Sequence, residues 1–452
     1  VSGPPPTGLA PLPAGDPAQR LCRALLRRRL AGLRHGVIEL EEGGCIERFG
    51  RLTGHCGLSA RVHVRHPRFY RALALGGSIG AGRAYMDADW SADDLARLLC
   101  ILAANLPDWR GGDRWRARLA RPLSAALRWL RDNTTAGSRR NVAAHYDLGN
   151  ALFELFLDRD LHYSSAYFVP PQADLEQAQR AKADLVCRKL DLSADDHLLE
   201  IGCGWGGLAL HAARHYGCRV TATTVSRQQH ALAVQRVQAA GLADRVTVLC
   251  EDYRQLRGRY DKLAVVEMLE AVGHRRHGRF LGHCGRLLKP DGLMLLQAIT
   301  IDERRHGAAA REEDFIQRYV FPGGSLPSLS RLMRLLGRHT ALRVEHCEDL
   351  APHYALTLRH WRQRFMARQA QAQALGYPPR FVRSWEFYLA YCEAGFSGRA
   401  VGVQQLLLAG PWWVPSSPSD LSNRRQQGGK ASADCLDFEA HSGSIQRKSR
   451  EI

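Results

Sequence analysis

The sequence predicts an α/β protein: a doubly wound, mostly parallel, Rossmann-like sheet, preceded by a smaller N-terminal α+β domain. Three observations predict it. From 197 to 301, short apolar runs alternate with helical patterns, as in parallel strands joined by crossover helices. Four glycines crowd into GCGWGG (202–207), between the first apolar run and a helical pattern. Ahead of this region, residues 21–130 mix short alternating segments with helical ones.

Residues 1–20, rich in Pro and Gly, read as a disordered lead-in. VSGPPPTGLAPLPAGDP has no apolar stretch behind a basic start, so it is not a secretory signal, and the missing initiator Met suggests a fragment or a processed form. An N-terminal, lipid- or membrane-associated domain with its connector is expected over 21–135. It opens with LCRALLRRRLAGL, a basic amphipathic helix; VIELEEGGCIERFG and ARVHVRH read as hairpin strands, and RFYRALALGGSIGAGRAYM and ADDLARLLCILAANL as helices. The connector 110–133 sets Trp and Leu among arginines, which suits a helix on a membrane surface or one packed on the next domain. A catalytic domain is expected over 136–414, with strands at 197–201, 218–225, 245–252, 260–269 and 293–301. Helices are expected over SRQQHALAVQRVQAAGL and around RFLGHCGRLLKPDG. Residues 302–412 read as mainly helical, with FPGGSLPS as a loop, and the polar tail 415–452 as disordered.

The chain has 452 residues and 45% apolar content, enough for a sizeable core. No run of about 18 apolar residues occurs, so no transmembrane helix is expected. A net charge of +18 suits an anionic membrane surface, although arginine use on solvated faces accounts for it equally well. Nucleic acid is not expected as a partner, because no Asn/Asp-Pro-Pro-Tyr type of base-handling motif is present. The 12 cysteines form no C-x-x-C pair and no repeated Cys/His spacing, which argues against a zinc site and a disulfide framework and fits reduced thiols in a cytoplasm.

The chemistry begins at Glu200-Ile-Gly-Cys-Gly-Trp-Gly-Gly207. Gly202, Gly204 and Gly206 admit a ligand that side chains would exclude, and Glu200 suits a cationic amine. A dinucleotide site would want an acid at the end of the next strand; Thr223-Thr224 stand there instead, against a nicotinamide cofactor. E-x-G-x-G resembles the first motif of Rossmann-like S-adenosylmethionine (AdoMet) methyltransferases. Ser226 and Gln229 suit a helix capping box, a ribose contact, or both. Asp252 and Tyr253, after the third strand, suit an adenine amine and its ring; an N-cap role for the acid is the plainer alternative.

The segment 145-HYDLGNALFELFLDRDLHYSSAYF-168 resembles the opening motif of cyclopropane-fatty-acyl-phospholipid synthases and the related mycolic acid cyclopropane synthases. So do GCGWGG, EAVG (270–273), LLKPDG (287–292), FIQRYVFPGG (315–324), HYALTLRHW (353–361) and WEFYLAYCEAGF (385–396), in the family's order. The resemblance implies a methyltransferase fold with a helical cover over a lipid tunnel. It implies methyl transfer from AdoMet to a cis double bond of an unsaturated phospholipid acyl chain, through a carbocation, giving a cyclopropane. It places AdoMet against Tyr163, Ser164, Gly202, Gly204, Gln229 and Asp252; with Glu200, Gly206, Thr224 and Tyr253 from the strand ends read above, these make up the expected cofactor site. A bicarbonate ion would be the base, held at Glu270, Ile299 and Tyr354, with Cys392 close by. Tyr163, Tyr167, Phe168, Tyr319 and Tyr354 would face the cation; a buried hydrophobic thiol is the plainer reading of Cys392.

Three positions depart from the family: Ser165 replaces Cys, Ala271 replaces His, and Gln297 replaces His. Ser165 and Gln297 retain hydrogen-bonding capacity toward an anion. A changed base site also admits a methylene or methyl branch as product. The expected setting is a cytoplasmic enzyme, peripheral at the inner membrane face; a homodimer is allowed. Methylation of a soluble small molecule and a non-catalytic lipid-binding module are the alternatives. His274 and His277 read as solvated surface, and His145 as a residue that orders the opening motif.

Overall fold

The computed structural model describes residues 16–54, 56–109, 148–170, 172–309 and 313–415. The connector at 110–133, His145, the lead-in and the tail beyond 415 lie outside these residues. The chain divides into two compact units.

Of the described residues, 16–54, 56–109, 313–322 and 361–400 belong to the first unit. The helix Pro17–Ala31 starts at a full capping box between Asp16 and Gln19. Gly36–Glu42 (β1) and Cys45–Arg51 (β2) form the expected hairpin. Ser59–Val64 (β3) does not make a second hairpin: it lies parallel to β1 and antiparallel to Trp90–Ala92 (β4), in the order β2-β1-β3-β4. One edge of β1 is already taken by β2, so β3 must cross to the other. The helix Arg68–Met86 is broken at Gly77, whose φ of 52° no continuous helix accepts.

Two segments from the far end of the sequence belong to this unit, so it is not the contiguous block that the sequence suggests. Phe315 of the helix Phe315–Tyr319 and Phe387 of the helix Pro379–Ser397 join Tyr85 and Trp90 in an aromatic cluster. Gly82 makes room for it; a Cβ there would stand 2.3 Å from the Phe315 ring.

The second unit is built on seven strands, in the spatial order Arg343–Asp349 (β10), Val401–Ala409 (β11), Leu288–Ile301 (β9), Tyr260–Val266 (β8), His197–Ile201 (β5), Arg219–Thr223 (β6) and Val246–Leu249 (β7). Strands β5, β6, β7, β8 and β9 are parallel, as expected. The order reverses beside β5, the switch point at which such sheets open a ligand crevice. Residues 302–412 are not all helix: Arg343–Asp349 (β10) and Val401–Ala409 (β11) extend the sheet antiparallel beyond β9. Neither shows a strand's usual alternation. β10 is a charged edge strand, and β11 carries Gln404-Gln405 inside an apolar run. Helices including Leu175–Lys189, Gly207–Tyr216 and His277–Leu287 cover the sheet through apolar clusters around Leu198, Val220 and Leu293 on one face and Leu199, Phe280 and Leu296 on the other. His277 is fully buried, not solvated, and its imidazole is pushed down to about 3 by burial.

Candidate active site

A cavity opens where the chain leaves β5, beside the carboxyl ends of β6 and β8. Its lining includes Tyr163, Ser164, Glu200, Gly202, Gly204, Thr224, Gln229 and Tyr253, eight of the ten residues expected to hold AdoMet. Gly206 turns the chain into the helix Gly207–Tyr216 without lining the cavity. Asp252 is buried and caps a short 3-10 turn; its carboxylate receives Arg254 at 2.8 Å while Glu251 lines the cavity. Ser226 caps the helix Arg227–Ala239 by accepting from the Gln229 N–H, but the Gln229 side chain takes the Thr224 hydroxyl at 2.8 Å instead of closing the box.

The glycines are required by geometry. Gly202 and Gly204 have φ of 87° and 54°, values that side chains resist. Nothing lies within 4 Å of a Cβ built on Gly204. The backbone is therefore open to a ligand at the head of a helix. Glu200 is buried, has an unpartnered Oε2, and is pushed up to about 7 by burial. An orphaned carboxyl beside a glycine cradle fits the ammonium of AdoMet's methionine end.

Lys182, absent from the sequence expectations, is a buried lining residue of the cavity, on the helix Leu175–Lys189. It donates to the Ser164 hydroxyl at 3.1 Å, and Asp158, Glu200 and Glu267 hold its charge against desolvation. The sequence signal was a lysine on a helix's apolar face.

The second unexpected residue is Glu267, at the end of β8. It lines the same cavity and has a φ of 51°, a left-handed value for a non-glycine residue. Such a backbone costs about 1–3 kcal/mol and marks a position held by its surroundings. Oε1 accepts from the Ser165 N–H and from Gln297 Nε2, both at 2.8 Å, and Oε2 receives the Tyr354 hydroxyl at 2.6 Å. These are three of the groups expected to face an added anion. The fourth, the Ile299 N–H, donates to Glu270 Oε1 at 2.5 Å. The Ser165 hydroxyl turns away to the Ala166 carbonyl at 3.0 Å, so its expected role passes to its backbone N–H. An added bicarbonate does not fit this arrangement: its donors are taken, and it would face two carboxyl groups.

Glu267 lines the cavity, whereas Glu270 is not among its lining residues; the Glu270 carboxyl is buried close enough to feel the charge of Glu267. Burial, then the charge of Glu267, pushes Glu270 up to about 8, and its Oε2 has no partner. Burial raises Glu267 as well, but three donors and Lys182 oppose it. Hydrogen bonds to a charged group contribute about 1.5–3 kcal/mol each, so Glu267 is the anion of the pair and Glu270 the neutral acid.

Other expected residues fall elsewhere. Cys392 and Tyr319 belong to the first unit and are not among the cavity's lining residues; burial drives the Cys392 thiol far up. The Tyr167 ring is tilted against His353, and Phe168 stacks on His360. Of the five aromatic residues expected around the cation, Tyr163 lines the cavity and Tyr354 reaches it through Glu267.

The mycolic acid cyclopropane synthetase family profile matches residues 133–406. The chain is 40% identical over 353 residues to the tuberculostearic acid methyltransferase UfaA1 of Mycobacterium tuberculosis, covering 75% of this chain and 81% of that protein. It is 33% identical over 357 residues to the cyclopropane-fatty-acyl-phospholipid synthase of Escherichia coli K12, covering 77% and 88%. Among solved structures, the mycolic acid cyclopropane synthase CmaA1 complexed with SAH and CTAB aligns with a TM-score of 0.57 at 33% identity, over 60% of this chain and 98% of that one.

Two outcomes follow from the geometry. Gly202→Ala forces a Cβ at φ 87° to 2.8 Å from Met268 Cγ; calorimetry should show AdoMet affinity reduced about tenfold or more, with circular dichroism unchanged. Glu270 binds its proton more tightly folded than unfolded, so stability is full below the ordinary carboxyl value of 4.5 and falls as pH rises toward about 8. Melting temperature should therefore drop across that window, and Glu270→Gln should recover roughly 5 °C of the loss at pH 8; a parallel decline in both proteins would refute the assignment.

Proposed function

The chain belongs to the mycolic acid cyclopropane synthetase family, as an AdoMet-dependent methyltransferase acting on lipid acyl chains, and we propose that its substrate is a cis double bond in an unsaturated phospholipid. AdoMet, when bound, supplies a methyl group on a positively charged sulfur. The chain's own residues do the rest. The glycines at 202 and 204 and Glu200 hold the methionine end, while Thr224, Gln229 and Tyr253 border the space for the nucleoside. The observation that carries the reading is Glu267, a buried carboxyl that lines that same cavity, with the buried Glu270 carboxyl within reach of its charge. A soluble methyl acceptor with its own nucleophilic nitrogen or oxygen needs no buried anion beyond the methyl donor; an alkene, which becomes a cation when methylated, does.

The sequence reading favours ring closure to a cyclopropane. The site supports a second product: Glu267 changes the base, and the relative at 40% identity is named a methyltransferase, not a cyclopropane synthase. Both products add one carbon and are isomers. Incubation with 13C-methyl AdoMet and unsaturated phospholipid vesicles, followed by proton NMR of the extracted acyl chains, separates them: cyclopropane protons lie at high field, methylene-branch protons in the olefinic region. Label in neither would refute acyl methylation.

We further propose docking on an anionic membrane from the cytoplasmic side. The helix Pro17–Ala31 exposes Leu21 (62%) and Leu25 (41%) on one stripe, beside exposed Arg20 and Arg28, the pattern of a helix lying in a lipid interface. Among the described residues no helix is long and apolar enough to cross a membrane. Replacing both leucines by Glu should weaken binding to anionic vesicles about tenfold or more, with AdoMet affinity intact. Salt should weaken wild-type binding; salt-independent binding would remove charge from the account.

A further inference from the structure

We propose that the Glu267 carboxylate is this enzyme's built-in proton acceptor, standing where the family resemblance places a bicarbonate ion, so that turnover needs no added anion. The proposal rests on the acyl-methylation reading above.

Three observations carry it. First, the Ser165 N–H, Gln297 and Tyr354 converge on one protein carboxylate that also lines the cofactor cavity. Second, the direction of the hydrogen bonds is fixed from outside the site. Buried Lys189 pairs with Glu348 and donates to Gln405 Oε1 at 2.5 Å. An ammonium only donates, so Gln405 must present its oxygen there and its NH2 elsewhere. That NH2 donates to Gln297 Oε1 at 3.0 Å, which leaves Gln297 Nε2 to donate to Glu267. Glu267 Oε1 therefore receives two donors and carries no proton of its own. Third, the neighbouring Glu270 carboxyl is buried with no donor on Oε2, and burial beside the charge of Glu267 favours its neutral form, so the pair carries its charge on Glu267.

The step balances. In methyl transfer the alkene's π pair forms the new C–C bond, the C–S bond breaks, and its electron pair stays on sulfur. The adjacent chain carbon is left positive. Glu267 then takes a proton from the transferred carbon. The freed C–H pair closes a three-membered ring onto the cationic carbon, or, after a hydride moves to that carbon, forms an exocyclic C=C bond. In both cases the proton comes from the transferred carbon, Glu267 ends as a neutral acid, and solvent recovers the proton.

The test uses Glu267→Gln, which keeps the shape, and Glu267→Gly, which removes the carboxylate and suits the left-handed backbone. In CO2-depleted buffer the wild type should turn over within about twofold of its rate with bicarbonate, and Glu267→Gln should lose about 100-fold or more, with AdoMet affinity within about threefold. Carbon-13 NMR with labelled bicarbonate should show no binding to the wild type and binding to Glu267→Gly, whose turnover bicarbonate should raise about tenfold or more. Bicarbonate bound by the wild type, a wild type that stops without it, or Glu267→Gln retaining more than about a third of its rate would overturn the proposal. If no lipid is methylated at all, the acyl-methylation reading fails, and the binding arm, which needs no substrate, still decides whether Glu267 fills the anion's place.

Discussion

A buried carboxylate that receives hydrogen bonds and gives none organises this site. Removing an anion from water is costly, and the cost is met only by donors held in place before the substrate arrives. Glu267 has three, each from a different element: the loop before the helix Leu175–Lys189, strand β9, and the helix Ala351–Ala367. The order of strands serves this arrangement. β11 lies against β9 in a register that sets Gln405 opposite Gln297, and Gln297 in turn opposite Val266 of β8, the residue before Glu267. Buried Lys189 at the far end sets the polarity of the whole line.

The same logic governs the cofactor side. Lys182 is a buried cation shared among three carboxylates, and Glu200 is held close to neutrality until a cationic group arrives. Lys182 thus acts on both acids that line the cavity, while Lys189 orients the glutamine line that ends on one of them. Pairing of this kind is weak as a source of stability but strong as a source of orientation.

The parallel core of the fold was legible in the sequence because its strands are apolar runs bounded by glycine and polar turns. β10 and β11 were not, because one is a charged edge and the other carries two glutamines whose reason for burial lies on neighbouring strands. The glycine cradle was legible because positive φ has a residue signature. Glu267 and Lys182 were not: each is a single charge in an apolar pattern, and only three-dimensional partners separate a buried functional charge from a solvated one. Ser165 shows the converse. Its position was read correctly, but the atom facing the anion is its backbone N–H, which every residue but proline supplies, so the identity of the side chain carried less information than it promised.

The backbone at 267 adds a historical dimension. Glycine would rest there without strain, and glycine and glutamate codons are separated by a single base. A site that borrows its anion from solvent and one that carries its own are therefore neighbours in sequence space, with no backbone barrier between them. The glutamine line leading back to Lys189 is what a lineage must already possess, or soon acquire, for the new carboxylate to remain charged, so the change at 267 is cheap alone but durable only in company.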